Sequence, residues 1–273
     1  MDRASLQAAA DRNVAAALRH FAAHAAGAAI VESPALLRVA AAVPFAGAFH
    51  NAALRLDPTA DAGSAVEALR SFAAEWRRDM VLWAATHRDQ DLIQAAVDAG
   101  LRVRSSAVGM VAHEPPGPPV APSGVEVERV VDVSGVAAFG AVHESLGRDA
   151  AVVGHFGSVG ALLAPDAAGF VVRADGRPVA CAMTVVSGHE AGVYWVATCS
   201  DSRRRGYGEL ATRAAVRAGF EHGARVVTLQ STEQGLPLYR KLGFEPFTTY
   251  PRYVAPGPPP LSKPAPHSPG TRG

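Results

Sequence analysis

The sequence predicts a layered α/β or α+β fold, in which strands and helices alternate along the chain. Apolar residues make up 49% of the 273 residues and charged residues only 19%, so the chain can bury a large core. Segments with apolar residues at helical spacing alternate with short apolar segments that are typical of strands. The length suggests about two domains.

Proline-rich segments mark the predicted domain boundaries. Five prolines fall within the nine residues of 114–122, which no helix or central strand tolerates. We therefore predict a semi-rigid linker at 114–123, which separates an N-terminal unit, 1–113, from a C-terminal unit, 124–254. A second proline-rich stretch with few apolar residues predicts a disordered tail at 255–273.

In the N-terminal unit, helical spacing predicts a first helix at 6–26, with Leu6, Val14 and Phe21 on its apolar face. Helix start and stop signals give a later helix, which begins at Asp89 or Asp91 and ends at Gly100. The other predicted elements are a strand at 46–51, a helix at 63–78, a strand at 80–84 and a strand at 103–112. Their alternation is the basis of the predicted fold class.

The C-terminal unit has a clearer pattern. Asp175-Gly176 predicts a two-residue hairpin turn between strands at 169–174 and 179–187. The other predicted elements are strands at 125–131, 192–198, 226–230 and 244–254, and helices at 132–146, 158–163, 207–222 and 233–242. A glycine-rich turn lies between the strand at 192–198 and the helix at 207–222.

Composition excludes several classes of function. A net charge of +1 argues against a protein that binds nucleic acid or anionic membranes through bulk electrostatics. We find no charge-free apolar run of about 18 residues, so we predict no membrane span. Two cysteines, Cys181 and Cys199, suit a reducing compartment, and we expect a cytoplasmic protein. His20 and His24 share i,i+4 spacing but lack a third ligand, so no metal site is expected.

The glycine-rich turn, Arg203-Arg204-Arg205-Gly206-Tyr207-Gly208, is the strongest functional signal. Backbone N–H groups at the start of a helix, together with the helix dipole, bind anions. Glycines let a phosphate approach the backbone closely, and arginines add positive charge. The bland alternative is a helix N-terminus with solvated arginines, and by spacing alone the two interpretations have about equal support.

A second segment changes that balance. Leu238-Tyr239-Arg240-Lys241-Leu242-Gly243-Phe244 ends a predicted helix and leads into a strand. With the Arg-x-x-Gly-x-Gly turn before it, the chain resembles the GNAT superfamily of acyl-CoA-dependent N-acetyltransferases over roughly 124–254. The resemblance implies a mixed, mostly antiparallel sheet flanked by helices.

The N-terminal unit carries a weaker version of the same resemblance. The elements from Trp83 to Met110 are similar to the closing elements of that fold, but the unit has no Arg-x-x-Gly-x-Gly turn and no tyrosine before Gly100-Leu101. We interpret it as the degenerate half of a tandem GNAT protein. The alternative is an unrelated helical or α/β companion domain.

The resemblance implies acetyl-CoA as the co-substrate, bound between the strands at 193–198 and 226–230. Its pyrophosphate would lie on the N–H groups of 204–209, and its pantetheine arm would lie along the backbone near 196–198. Thr232 stands where many relatives carry an asparagine that contacts this arm. The implied cofactor-binding residues are Val196, Ala197, Thr198, Arg203, Arg204, Arg205, Gly206, Tyr207, Gly208, Glu209 and Thr232.

The resemblance also implies catalytic roles. Tyr239 resembles the family's general acid, which protonates the departing CoA thiolate; the alternative is a half-buried aromatic residue that packs its helix on the sheet. Many relatives place a carboxylate base where this chain has Val193, which cannot accept a proton. Glu190 and Tyr194 are our candidate bases. The other candidates are His189, Glu144, His143 and Asp149.

The predicted function is N-acetyl transfer from acetyl-CoA to an amine by direct attack, without a covalent enzyme intermediate. The predicted partner is a small-molecule amine or a peptide, not nucleic acid or a membrane, and a homodimer is left open. Because Val193 replaces the carboxylate, a non-catalytic acyl-CoA-binding or sensor protein is the alternative function. The sequence does not identify the acceptor.

Overall fold

The computed structural model describes residues 1–44 and 47–258, so residues 259–273 of the predicted tail lie outside the described residues. The strands are β1 (Ala29–Glu32), β2 (Leu36–Ala40), β3 (Ala52–Arg55), β4 (Met80–Trp83), β5 (Arg102–Ala112), β6 (Val125–Arg129), β7 (Ala167–Ala174), β8 (Arg177–Ser187), β9 (Glu190–Thr198), β10 (Val226–Ser231) and β11 (Glu245–Ala255). The helices are α1 (Arg3–Ala23), α2 (Ala62–Trp76), α3 (Gln90–Asp98), α4 (Val133–Glu144), α5 (Ala150–Gly154), α6 (Val159–Leu163), α7 (Tyr207–Glu221) and α8 (Leu236–Lys241).

The eleven strands of the described residues lie in one mixed sheet, in the order β1-β2-β3-β4-β11-β5-β10-β9-β8-β7-β6. Among these described strands, β3 pairs in parallel with β4 and β9 with β10, and the other neighbours are antiparallel. Helices cover both faces, with α1 and α4–α6 on one face and α2, α3, α7 and α8 on the other. This architecture confirms the predicted fold class.

The two halves of the chain exchange strands at the centre of the sheet. β5 belongs to the N-terminal half but lies between β10 and β11, which belong to the C-terminal half. β11 in turn lies between β4 and β5. Each half therefore completes the other's sheet. The boundaries at 113 and 124 stay a prediction, and both predicted units share one sheet.

The halves also repeat one pattern. A helix joins the two parallel strands in each, α2 between β3 and β4 and α7 between β9 and β10. A short helix then ends at a glycine with positive φ, Gly100 (φ 75°) or Gly243 (φ 85°). The next N–H donates back to the helix in both halves, Leu101 to the Ala96 carbonyl and Phe244 to the Tyr239 carbonyl. Ala96 thus stands where the C-terminal half has Tyr239.

The helix α1 lies across both halves. Its apolar side chains, including Val14 and Leu18, pack with residues of the N-terminal strands, while Phe21 packs in the cluster beneath α4. The Asn13 amide donates to the Val185 carbonyl (3.1 Å) on β8. The linker is also held, because the α7 side chains Arg213 and Arg217 donate to backbone carbonyls at 116–117.

Most predicted elements are confirmed to within a few residues, including the 175–176 hairpin turn, where Asp175 and Gly176 both have positive φ. The strand predicted at 46–51 is wrong: the strand begins at Ala52. The Asn51 side chain bonds the backbone of Ala41 and Val43, which holds the preceding residues in a loop. The prediction also missed β1, β2 and α5. Within the described ranges, no helix combines the length and apolar character required to span a bilayer.

Candidate active site

The turn predicted to bind phosphate leaves the end of β9 and opens into α7. A 3₁₀ turn at Ser200–Ser202 precedes it, and Gly206 stands at the N-cap of α7 with φ 82°. No side chain caps this helix, and a Cβ at Gly206 would find open space within 4 Å. The N–H groups of the first turn are therefore free to face a bound anion.

Gly208 is required for a different reason, the close approach of α7 to β9. A Cβ at Gly208 would lie 2.8 Å from the Thr198 hydroxyl oxygen, inside van der Waals contact. Within the described part of the chain, the exposed residues Arg203, Arg204 and Arg205 form no ion pair with an acidic side chain. The loop thus presents backbone donors and free cationic side chains together.

Glu209 connects this loop to the helix that carries Tyr239. Its carboxylate accepts from Lys241 of α8 (2.6 Å) and from Arg213 one turn along α7 (2.9 Å). Both hydrogen bonds hold the pKa of Glu209 below its usual value, and the bond from Lys241 has the larger effect. Because the carboxylate is engaged, only the backbone N–H of Glu209 remains for the role that the sequence predicted.

A cleft opens where β9 and β10 diverge. The two strands pair only over Glu190–Gly192, and beyond that point β9 turns away from β10. The space between them, about 420 Å³, brings together four of the predicted residues, Tyr194, Val196, Thr232 and Tyr239. Diverging parallel strands expose backbone groups that an extended ligand can pair with.

A bulge in β9 shapes the wall of this cleft. Tyr194 opposes Met183 and Ala197 opposes Cys181, so β9 has one residue more than β8 here, and Trp195 has φ 53°. The Trp195 ring stacks on Phe156 with centroids 3.5 Å apart. These contacts hold the strained residue in place.

His143 fixes the bulge by hydrogen bonds. Its Nδ1 accepts from Arg148 (2.8 Å), because a guanidinium only donates, so Nε2 carries the proton and donates to the Trp195 carbonyl (3.1 Å). The pKa of His143 is lowered to about 3, mainly by burial and secondly by the charge of Arg148. The neutral ring is therefore the stable form at ordinary pH.

Tyr239 lines the cleft, and its hydroxyl has no hydrogen-bond partner within residues 1–44 and 47–258. Its ring packs against the backbone of Gly235, where a Cβ would lie 2.8 Å from ring atom Cε2, and against the edge of Phe244. Burial raises the pKa of Tyr239 to about 12, so the phenol is protonated at neutral pH. A free donor faces the cleft.

Neither candidate base is placed to accept a proton in this cleft. Glu190 lines another cleft and pairs with Arg12 on α1, so the structure does not bring it to Tyr239. The Tyr194 hydroxyl points into the core and donates to Asn13 Oδ1 (2.6 Å), and burial raises its pKa well above the usual value. Such a phenol is poorly suited to accept a proton. Unlike Tyr194, the alternatives His143, Glu144, Asp149 and His189 do not line the cleft.

Sequence reasoning missed three arginines that line the cleft: Arg104 of β5, Arg148 before α5, and Arg252 of β11. Arg104 and Arg252 reach it only because the halves exchange strands, and no local motif signals that. Across the described ranges, no group of three or more His, Cys, Asp or Glu side chains is arranged to hold a metal ion.

In the N-terminal half, a cleft of about 920 Å³ lies between α1, the end of β3 and the loop after β4, and the turn between β8 and β9 of the other half completes it. The loop there, between β3 and α2, contains Asp57 and Asp61, which would repel a phosphate. The buried Arg55 guanidinium donates to Asp89 (2.8 Å) and Asp91 (2.7 Å). Because both carboxylates engage it, this guanidinium is poorly available to bind an anion. This half lacks the phosphate-binding features of the other.

Comparisons with known proteins agree with this geometry. Residues 141–244 match the model of the Acetyltransferase (GNAT) family, a range that contains the loop at 203–208 and Tyr239. No curated protein sequence matches the chain.

Solved structures match nearly the whole chain. A GCN5-related N-acetyltransferase from Kribbella flavida is 24% identical, with a TM-score of 0.71 over 91% of this chain and 96% of its own. A tandem GNAT protein from the clavulanic acid biosynthesis pathway is 14% identical, with a TM-score of 0.61 over 90% of this chain and 95% of its own. A GCN5-related N-acetyltransferase from Sphaerobacter thermophilus is 13% identical, with a TM-score of 0.56 over 81% of this chain and 80% of its own. Residues 141–244 thus match the acetyltransferase (GNAT) family, and the chain shares its fold with these N-acetyltransferase structures, a tandem GNAT protein among them.

Proposed function

We propose that the protein transfers an acetyl group from acetyl-CoA to the amine of an acceptor. One observation carries the proposal. The uncapped start of α7, with Gly206 and Gly208, opens beside a cleft between diverging strands in which the unpaired hydroxyl of Tyr239 lies. An anion site, an extended groove and a proton donor in this order suit a phosphorylated thioester.

The residues present fit coenzyme A. The N–H groups of 204–209 and the exposed arginines at 203–205 would hold its pyrophosphate. On the edge of β9 that faces away from β8, the backbone of Val196, Ala197 and Thr198 would pair with the amides of the pantetheine arm. Thr232 lines the same cleft and offers one hydroxyl to that arm. The bulge at Trp195 would then face the thioester.

In the proposed reaction, the nitrogen lone pair of the amine attacks the thioester carbonyl carbon, and the carbon–sulfur bond breaks. The phenol of Tyr239 donates its proton toward the departing sulfur. The proton that the amine loses passes to water, and a proton from water restores the phenol. The products are an N-acetyl amide and free CoA thiol.

Release of free thiol from acetyl-CoA tests the proposal. Purified protein is incubated with acetyl-CoA and a panel of amines, and binding of acetyl-CoA is measured in parallel by calorimetry. We expect turnover with part of the panel. Binding without turnover across the panel would instead support an acyl-CoA-binding or sensor protein, which the lack of a carboxylate in the cleft favours.

A further inference from the structure

The cleft beside Tyr239 carries a concentration of positive charge that acetyl transfer alone does not explain. Arg104, Arg148 and Arg252 line it, and no Asp, Glu or His of residues 1–44 and 47–258 does. They come from three separate parts of the chain, a strand of each half and the loop before α5. The fold thus gathers three guanidinium groups around about 420 Å³.

None of the three has an acidic partner among the described residues. Arg148 donates to the neutral ring of His143. Arg252 lies over the Trp83 ring (5.0 Å), and its buried Nε has no hydrogen-bond partner. Burial lowers the pKa of both Arg148 and Arg252. A partly buried guanidinium without a counter-charge is unfavourable, and a bound anion would relieve this.

This charge is separate from the predicted pyrophosphate site. The residues 203–209 do not line the cleft, whereas Tyr239 and the bulge residue Trp195 do. Arg104 and Arg252 lie on β5 and β11, on the side of β10 away from β9. The arginines therefore surround the end at which the thioester and its acceptor would meet.

We propose that the acceptor is an amine that also carries a negatively charged group, a carboxylate or a phosphate, and that Arg104, Arg148 and Arg252 bind this group. The inference rests on the proposed acetyl transfer. Guanidinium groups form paired hydrogen bonds with both anions. The aromatic rings of Phe49 and Trp195 at the same cleft would pack against the acceptor's apolar part.

The same positive charges would make a carboxylate base in the cleft unnecessary. Nearby cations disfavour the ammonium form of an amine and so lower its pKa. The bound acceptor would lose its proton to water before it attacks, with no carboxylate to receive it. The cleft would thus supply electrostatically what relatives supply with a base at the position of Val193.

Matched amines test the proposal. Rates of thiol release are measured for phenylalanine against phenylalaninamide, and for phosphoethanolamine against ethanolamine. In one of the two pairs, we expect kcat/KM to be at least about tenfold higher for the anionic member than for the neutral one. The pair that shows this preference identifies the bound group as a carboxylate or a phosphate. Equal use of the charged and neutral members of both pairs would overturn the proposal.

The variant Arg104→Gln provides a second test of the proposal. Arg102→Gln is its control, because Arg102 is exposed on the same strand and does not line the cleft. We expect Arg104→Gln to lower kcat/KM about tenfold more for the anionic amine than for its neutral counterpart, and the control to stay within about twofold of the wild type with both. A rise in the KM for acetyl-CoA of the same size would assign Arg104 to the co-substrate and contradict the proposal.

Product binding separates this inference from the proposed function. Calorimetry compares N-acetylphenylalanine with its amide, and N-acetyl-phosphoethanolamine with N-acetylethanolamine, in the wild type and in Arg104→Gln. Arginine-dependent binding of an anionic compound, with no turnover of any amine, would retain the anion site and reject acetyl transfer. Turnover of amines without any such preference in binding or rate would reject the anion site alone.

Discussion

At the scale of residues, three side-chain choices make the site. Glycine at 206 and 208 leaves the start of α7 open and lets it approach β9. Tyrosine at 239 supplies a donor that nothing else in the described chain engages, whereas the equivalent residue of the other half is Ala96. The roles of the two glycines and the tyrosine could be predicted from the sequence because these residues belong to local motifs. The roles of the cleft arginines could not be predicted, because these residues meet only through long-range strand pairing.

Gly208→Glu should abolish the fit of CoA at the loop. Its Cβ would press on the Thr198 hydroxyl, and its carboxylate would repel the pyrophosphate. We expect the affinity for acetyl-CoA, measured by calorimetry, to fall by at least about tenfold. Gly154→Glu is the matched control, since a Cβ there has open space. Unchanged affinity in Gly208→Glu would place the phosphate elsewhere.

At the scale of elements, the bulge in β9 and the link between α7 and α8 position the site. Helix and strand periodicity located most elements, and Asp132 caps α4. The bulge at Trp195 could not be foreseen, because it depends on the tertiary contacts of His143 and Phe156. The ion pair of Glu190 could not be foreseen for a similar reason: its partner Arg12 lies on α1, far away in sequence.

His143→Phe tests the role of the bulge. Phenylalanine keeps a ring in the core but cannot donate to the Trp195 carbonyl, so the wall of the cleft should shift. We expect kcat to fall about tenfold while the affinity for acetyl-CoA changes by less than about threefold. His143→Gln, which retains an N–H donor, should recover part of kcat. Equal kcat in all three proteins would show that this hydrogen bond does not position the site.

At the scale of the whole molecule, the exchange of β5 and β11 makes the halves interdependent. Strand alternation predicted the fold class, and the family resemblance implied the tandem halves. Pairing between distant strands leaves no local pattern, so the exchange of strands could not be predicted. Without β5, strands β10 and β11 lose their common neighbour and expose unpaired backbone edges.

We therefore expect a fragment of residues 124–273 to be largely unfolded by circular dichroism when expressed alone. Co-expression with a fragment of residues 1–123 should restore a folded complex, because the cut falls in the linker and leaves every strand intact. Cooperative thermal unfolding of the 124–273 fragment by itself would contradict the interdependence.

Buried histidines predict that the fold weakens in mild acid. Burial, and next the charge of His155, lower the pKa of His50 to about 4 from 6.5 in the unfolded chain. A lowered pKa contributes stability above about pH 6.5 that is lost as the pH falls toward 4. His50→Gln should reduce the loss of unfolding free energy between pH 7 and 5 by roughly 1–2 kcal/mol. The exposed His113→Gln is the control, and equal pH dependence in both would argue against this origin.

The central claim is that Tyr239 assists acyl transfer in the cleft beside the α7 loop. The most direct measurement is kcat for thiol release by Tyr239→Phe, with acetyl-CoA affinity measured on the same protein and Tyr253→Phe as control, because Tyr253 lies in the core against α2. We predict a fall in kcat of about a hundredfold at nearly unchanged affinity, and a control close to wild type. A Tyr239→Phe protein that turns over as fast as the wild type would contradict the claim.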